Sequence, residues 1–377
     1  MRINLKRYVP EKSASGFDFR VKGESRCLDV WYRVDCKHGG YKDVRCKIPK
    51  FIETDDLFWE SLGILQGEMK KSVKNLGYAN ISFSNSNVDI VNHVLDFFQE
   101  FFNIERCMWR ATAGYNTKGI KIHNKNEFGS NIVTFWHEKT KLPVDNFTKI
   151  NLNPRYRTRS ATMGHINVKY CNAAFSSFFL NLLEKIKAII ENDEDASKAY
   201  LRGLFAAEGS PFIRKGFLNS VELGVSRNED YKHYKKCLIR AGISGIKRGK
   251  TQIKIYGWDN FYKLYKTKIF RLHRQRELKF INGFMKSHNT RKILLLNELI
   301  KPKKMNDLDY KKIRLARRTI QQHFTNLFKM WFTNRQRIFN KDGSWYYIWS
   351  ISSKGETVRK NIYEINKTKA GCEKYVV

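Results

Sequence analysis

The sequence predicts an α+β fold in which one unit is written twice, set between a β-rich N-terminal segment and a C-terminal run of helices ending in a hairpin. Three observations carry that expectation. Residues 59–69 and 199–209 are two apolar stretches that read as helices, each with two small residues four apart and one glutamate at its end. The offset between the glutamates, 208 − 68 = 140 positions, aligns the chain without a gap from Asp55 to about Phe102. The aligned segments alternate polar and apolar residues and then return to helical spacing.

Composition bounds the class. The 377 residues suffice for two or three domains, and a hydrophobic fraction of 42% supports a large core. Lys and Arg number 71 against 36 Asp and Glu, a formal charge of +35 that points to a long polyanion as partner. Residues 1–15 carry charge but no apolar run, and the seven cysteines are odd in number and scattered. An intracellular setting is expected (cytoplasm, nucleoid or organelle matrix), not a secreted one. No stretch is long and apolar enough to span a membrane, so no membrane partner is expected.

Residues 1–53 form the β-rich N-terminal extension. Residues 17–21 and 28–34 alternate, Gly39 and Gly40 make a turn, and residues 41–48 return as a partner strand. Cys27, Cys36, His38 and Cys46 lie here without a tight C-x-x-C pair, so no zinc is expected. Thr54, Asp55 and Asp56 cap the first key helix, and Asp193, Glu194 and Asp195 the second. Gly63 and Gly67 line one face of the first, Gly203 and Ala207 one face of the second, and such spacing lets two helices approach closely. Side by side, they bring Glu68 and Glu208 together at their negative dipole ends. Divalent cations between the carboxylates would offset that repulsion, and such a pair suits phosphodiester hydrolysis.

Beyond each helix, residues 80–86 align with 220–226 as alternating strands, and Val91, Val94 and Phe98 align with Tyr231, Tyr234 and Leu238 on one helix face. Residues 166–170 resemble 253–257, each a strand leading into an aromatic-rich helix, over 175–190 and 261–270. The first repeat, 54–191, carries an insertion at about 115–162 that contains Arg155, Arg157 and Arg159; the second spans 192–286. In residues 288–377 a helix precedes Pro302, a short one covers 310–314, and an amphipathic one covers 316–330 with Ile320, Phe324, Leu327 and Phe328 on one face. Two strands then flank Asp342-Gly343, a hairpin turn signal.

Residues 201–209 (LRGLFAAEG) closely match, and residues 62–69 (LGILQGEM) loosely match, the motif of the LAGLIDADG homing endonucleases, with Met69 in place of the usual final Gly. The chain resembles the single-chain, two-motif form over about residues 54–285. That resemblance implies two pseudo-symmetric αββαββα repeats forming a DNA-binding saddle, with the motif helices as their interface. It implies that Glu68 and Glu208, with the backbone carbonyls of Gly67 and Ala207, hold two or three Mg²⁺ ions shared between the repeats. Double-stranded DNA with a long specific target site is the implied partner, cut on both strands by a monomer. Lys169 is expected beside the scissile phosphate as a charge stabiliser, with Lys254 in reserve.

Each sheet would lie in the major groove, one strand face on the helices and the other toward bases. Ser82, Ser84, Ser86, Lys169, Glu222, Arg227, Lys254 and Tyr256 are the alternating or strand-end polar residues so placed, joined by Lys247, Arg248 and Lys250 and by the arginines of the insertion. The C-terminal segment resembles, by pattern, a winged helix-turn-helix, with Arg317, Arg318, Gln321 and Gln322 on the exposed face of a recognition helix. Two alternatives stay open: a non-catalytic transcriptional regulator on the same scaffold, which would generally lack the acids kept here, and a maturase acting on host intron RNA.

Overall fold

A computed structural model of the chain describes residues 1–13, 16–36, 39–69, 80–118, 122–153, 163–225, 227–287, 291–329, 331–360 and 363. The fold is α+β, in two compact units: residues 1–212 with 220–280, and residues 213–219 with 281–377.

The first unit begins with β1 (Arg2–Asn4), β2 (Arg20–Gly23), β3 (Cys27–Asp35), β4 (Tyr41–Pro49) and β5 (Phe51–Glu53). Strands β2, β3 and β4 make an antiparallel sheet, and β1 pairs with β5. Alternation buries Leu28, Val30 and Tyr32 of β3 with Cys46 and Ile48 of β4. Helix α1 (Asp56–Glu68) starts where the Asp55 carboxylate accepts the Phe58 N–H at 2.9 Å.

Next come β6 (Ile81–Asn85), α2 (Val88–Phe102), β7 (Trp109–Tyr115), α3 (Lys125–Thr140), β8 (Phe147–Leu152), β9 (His165–Tyr170), α4 (Ala173–Lys185) and α5 (Lys187–Asn192). The sheet order is β6-β9-β7-β8, antiparallel except for β7 and β8, which α3 joins as a parallel pair. One face is core: Phe83, Val168 and Ala111 share a cross-strand row and are buried with the rings of Phe98, Trp109, Phe175 and Phe179. The segment expected as an insertion thus supplies α3 and β8, while Arg155, Arg157 and Arg159 lie outside the described residues. The helix expected over 175–190 is instead two, because the chain tightens at Ile186, whose carbonyl accepts the Ile189 N–H at 2.9 Å.

Helix α6 (Glu194–Glu208) is capped by Asp193, whose carboxylate accepts the Ala196 N–H at 2.8 Å. It leads into β10 (Gly209–Arg214), β11 (Phe217–Gly224), α7 (Asn228–Arg240), β12 (Ile246–Arg248), β13 (Gln252–Ile255), α8 (Trp258–Lys266) and α9 (Arg274–Ser287). The second four-stranded sheet runs β10-β11-β13-β12, with Val221, Leu223, Ile253 and Ile255 on its buried face.

The second unit holds α10 (Arg291–Glu298), β14 (Lys303–Lys304), α11 (Tyr310–Ile313), α12 (Arg317–Lys329), β15 (Thr333–Phe339) and β16 (Trp345–Ile351). Its sheet order is β14-β16-β15, and Ile320, Phe324 and Leu327 of α12 are buried. Gly343 turns the hairpin at φ 81°, and Asp342 accepts the Ser344 N–H at 3.0 Å. Among the described residues no helix is long and apolar enough to cross a membrane.

Candidate active site

Helices α1 and α6 pack along their small-residue faces. A Cβ on Gly63 would stand 2.7 Å from the Leu204 backbone nitrogen, and one on Gly203 would stand 2.6 Å from the Glu60 carbonyl carbon. Backbone meets backbone there, so neither position accepts a side chain. Near the other end of the pair, a Cβ on Gly67 would lie 2.7 Å from the Ala207 Cβ and 2.9 Å from the Glu208 Cγ. The four residues expected to line the interface are therefore its contact points.

A buried ion network ties the pair on the side away from those carboxylates. Glu60 is 1% exposed and Arg202 9%. Arg202 Nε donates to Glu60, Arg202 also meets Asp56 at 2.6 Å, and Arg271 bridges Asp56 at 2.9 Å and Glu60 at 2.5 Å. Removing Glu60 would strand the buried charge of Arg202. His93 stands 3.5 Å from Glu60 but does not serve as a cation: burial, then the positive charge of Arg271, lowers its pKa to about 4.

At the C-terminal ends, Glu68 is half-buried and Glu208 exposed. Burial, then the negative charge of Glu208, pushes the Glu68 carboxyl up to about 7. Two groups oppose that rise: Arg276 by its charge, and Asn85, whose side-chain N–H donates to Glu68 Oε1 at 2.9 Å. Arg276 itself is held below its usual pKa by burial, while Glu68 and Glu208 both act to raise it. Its Nη1 donates to the carbonyls of Phe205 at 3.0 Å, Ala206 at 2.6 Å and Ala207 at 3.1 Å, capping the end of α6 with a cation. Glu208 opens onto a recess of about 530 Å³ lined also by Gln66, Gly67, Gly224, Arg227 and Asp230.

The donors suit a hard divalent cation. Two carboxylates and nearby backbone carbonyls are all oxygen ligands, and Mg²⁺ is commonly held by one or two carboxylates while it keeps water and takes phosphate oxygens. The Glu68 carboxyl is raised first by burial and then by the Glu208 charge, and a bound cation would favour its ionised form. No group of three or more His, Cys, Asp or Glu forms a ligand cluster among the described residues.

The remaining expected residues fall into separate places. On the polar face of the first sheet, Ser82, Lys169 and Arg110 form one cross-strand row, and Ser84, Asn167 and Thr112 the next. Ser82 donates to Asn167 Oδ1 at 3.2 Å, and Asn167 Nδ2 donates to Ser84 at 2.6 Å; Ser86 follows the strand, half-buried. In the second sheet Glu222, Lys254 and Lys247 share a row, with Lys254 paired to Glu222 at 3.2 Å and Lys247 5.7 Å from the Tyr256 ring. Arg248, one residue on, has the opposite parity: it stacks on Tyr231 at 4.6 Å and donates to Asn228 at 2.7 Å. Lys250 is exposed in the turn between β12 and β13. Arg227 comes to the Glu208 recess and pairs with Asp230 at 3.3 Å. Arg317, Arg318, Gln321 and Gln322 lie exposed on α12.

Sequence reasoning passed over Asn85, Arg276, Asp230, Gln66 and Arg110. Asn85 has the parity of the apolar face, since it stands opposite Ile166, and from the end of β6 its amide reaches Glu68. Gln66 donates to Asp230 at 3.0 Å across 164 positions of chain. Arg276 carries no local signal at all. Arg110 was legible, as the polar residue of Trp109-Arg110-Ala111, had β7 been read as a strand.

No protein-family model matches the chain, and no curated protein matches it. Two solved structures of the homing endonuclease I-DmoI are similar to it. One, of mesophilic variants, is 13% identical at a TM-score of 0.30, covering 57% of this chain and 88% of that chain. The other, a variant in complex with target DNA nicked in the coding strand and in the presence of Mn, is 12% identical at a TM-score of 0.29, covering 63% and 100%. Likenesses of this size do not establish a shared fold.

Proposed function

We propose that the protein is a site-specific homing endonuclease that makes metal-dependent double-strand breaks in DNA. The observation that carries this reading is the pair of motif-terminal carboxylates, Glu68 and Glu208, delivered to one place by two helices in backbone contact, with Glu68 held protonatable near neutrality. On this reading the units that follow α1 and α6 are the two pseudo-symmetric repeats, each presenting the polar face of its sheet to the major groove, and the second unit is a winged helix-turn-helix that adds DNA contacts through α12.

Glu68 and Glu208 would hold Mg²⁺, with the Gly67 and Ala207 carbonyls beside them. Bound there, the ion supplies a Lewis acid and an activated water for phosphodiester hydrolysis. Asn85 orients Glu68 by its hydrogen bond, and Arg276 keeps positive charge next to both carboxylates. Lys169, in the middle of its sheet between Ser82 and Arg110, is the basic residue assigned to the scissile phosphate.

The test is cutting of duplex DNA that joins the two sequences flanking the gene, with Mg²⁺ present. Glu68→Gln and Glu208→Gln should each lower cutting by about a thousandfold or more, while binding in a shift assay changes by less than about threefold. Double-strand cutting at the wild-type rate in either variant would end the assignment. A protein that binds this duplex and never cuts it would favour the regulator.

A further inference from the structure

The β15–β16 hairpin carries a face that the nuclease reading leaves unused. Arg335 stands opposite Trp349, Arg337 opposite Tyr347 and Phe339 opposite Trp345, so the two-residue period puts all six side chains on one side. At its base this face is core, with Trp349 buried 5.2 Å from the Phe324 ring. Toward the turn it opens: Phe339 is 64% exposed and Trp345 48%, and both arginines are exposed. Ring contact continues outward all the same. Tyr347 lies 6.1 Å from Trp349 and 5.1 Å from Trp345.

The arginines are stacked within this column. The Arg335 guanidinium sits 4.4 Å from the Phe328 ring and 4.7 Å from Tyr347, and that of Arg337 sits 4.1 Å from Trp345 and 4.9 Å from Phe339. Neither pairs with a carboxylate among the described residues. A guanidinium lying on a ring keeps its in-plane N–H groups for an anion, and phosphate is the group that fits them. Phe339 and Trp345 reach past the hairpin's own core and keep much of their ring surface in water.

We propose that this face is a stacking platform for the bases of an unpaired DNA strand. Bases in a duplex already stack on one another and show only their edges. An unpaired base offers its ring face, which Trp345 and Phe339 can take up while Arg335 and Arg337 hold the flanking phosphates. A chain of net charge +35 complements such a strand. Stacking and phosphate contact are common to DNA and RNA; DNA is the strand assigned because it is the polyanion of the proposed function, and that choice alone rests on that reading. The platform itself stands on the hairpin's geometry and is independent of catalysis at Glu68 and Glu208.

Binding of the full-length protein to a fluorescein-labelled oligothymidine of about 16 nucleotides tests it, beside the matching RNA and a duplex of equal length, by anisotropy at fixed salt. Trp345→Ala and Phe339→Ala are each expected to weaken binding of the oligothymidine about tenfold and of the duplex less than about twofold. Trp345→Phe keeps a ring and should retain most of the affinity, which separates loss of the platform from loss of the fold. Equal losses on single strand and duplex would mean a groove contact and overturn the proposal. So would unchanged affinity in both alanine variants, no binding of oligothymidine by the wild type, or RNA bound about tenfold tighter than DNA.

Discussion

Glu68 and Glu208 end their helices with the same chemistry in different surroundings. Glu208 is exposed, whereas Glu68 is half-buried beside it and its carboxyl is pushed from 4.5 up to about 7. A native pKa above the unfolded one means that folding takes up a proton. The stability this gives is complete below pH 4.5 and is lost as pH rises through about 7. Metal-free protein should therefore lose on the order of 1–3 kcal/mol between pH 5 and 8 from this one group, measured by denaturant unfolding. Glu68→Gln should remove that slope and make the variant the more stable protein at pH 8. Arg276→Gln should steepen it, because Arg276 is among the groups that pull the Glu68 pKa down. A wild type and Glu68→Gln with parallel pH profiles would show that burial and the Glu208 charge do not raise the Glu68 carboxyl as described.

Two helices set the position of that site, and backbone contact between them tolerates no side chain. Gly203→Ala would put a methyl group 2.6 Å from the Glu60 carbonyl carbon, in a stretch where Glu60 and Arg202 already hold the helices by a buried ion pair. It should cost on the order of 3 kcal/mol in unfolding free energy, more than an ordinary glycine-to-alanine change in a helix, which is commonly stabilising. Gly343→Ala serves as the contrast, since its cost comes from φ 81° alone with nothing within 4 Å of the added methyl group. These helices were legible in the sequence because their determinants are local: Asp55 and Asp193 cap within three residues, and the small residues recur at helical spacing. The hairpin at Asp342-Gly343 was legible for the same reason. What escaped depended on distant pairing. Inside the insertion at about 115–162, α3 and β8 gave no clear signal, because α3 buries only a sparse set, Ile132, Val133 and Trp136 among them, and β8 finds its place only as a parallel partner of β7. The Asn85 and Arg276 contacts with the ends of α1 and α6 join segments that no sequence period connects.

At the scale of the whole chain, the excess of 71 basic over 36 acidic residues has to be divided between charges that are internally neutralised and charges left for a partner. Many are neutralised: Lys254 pairs with Glu222, Lys236 faces Glu191, and Arg202 and Arg271 share Asp56 and Glu60. On α12 the balance differs. Arg317 and Arg318 are exposed, and Arg317 bonds a neutral amide, Asn306, at 2.8 Å. Each phosphate a protein neutralises releases counterions, so the logarithm of affinity falls with the logarithm of salt by about 0.9 per contact. If α12 lies on DNA, Arg317→Gln with Arg318→Gln should reduce the magnitude of that slope by about 2, with stability unchanged within about 0.5 kcal/mol. Lys254→Gln should reduce the slope less, since Glu222 already offsets the Lys254 charge and leaves less of it for phosphate. Binding of the flanking-sequence duplex across a salt series decides the matter. A double variant with the wild-type slope would take α12 off the DNA, and the second unit would then owe its charge to some other polyanion or to solubility.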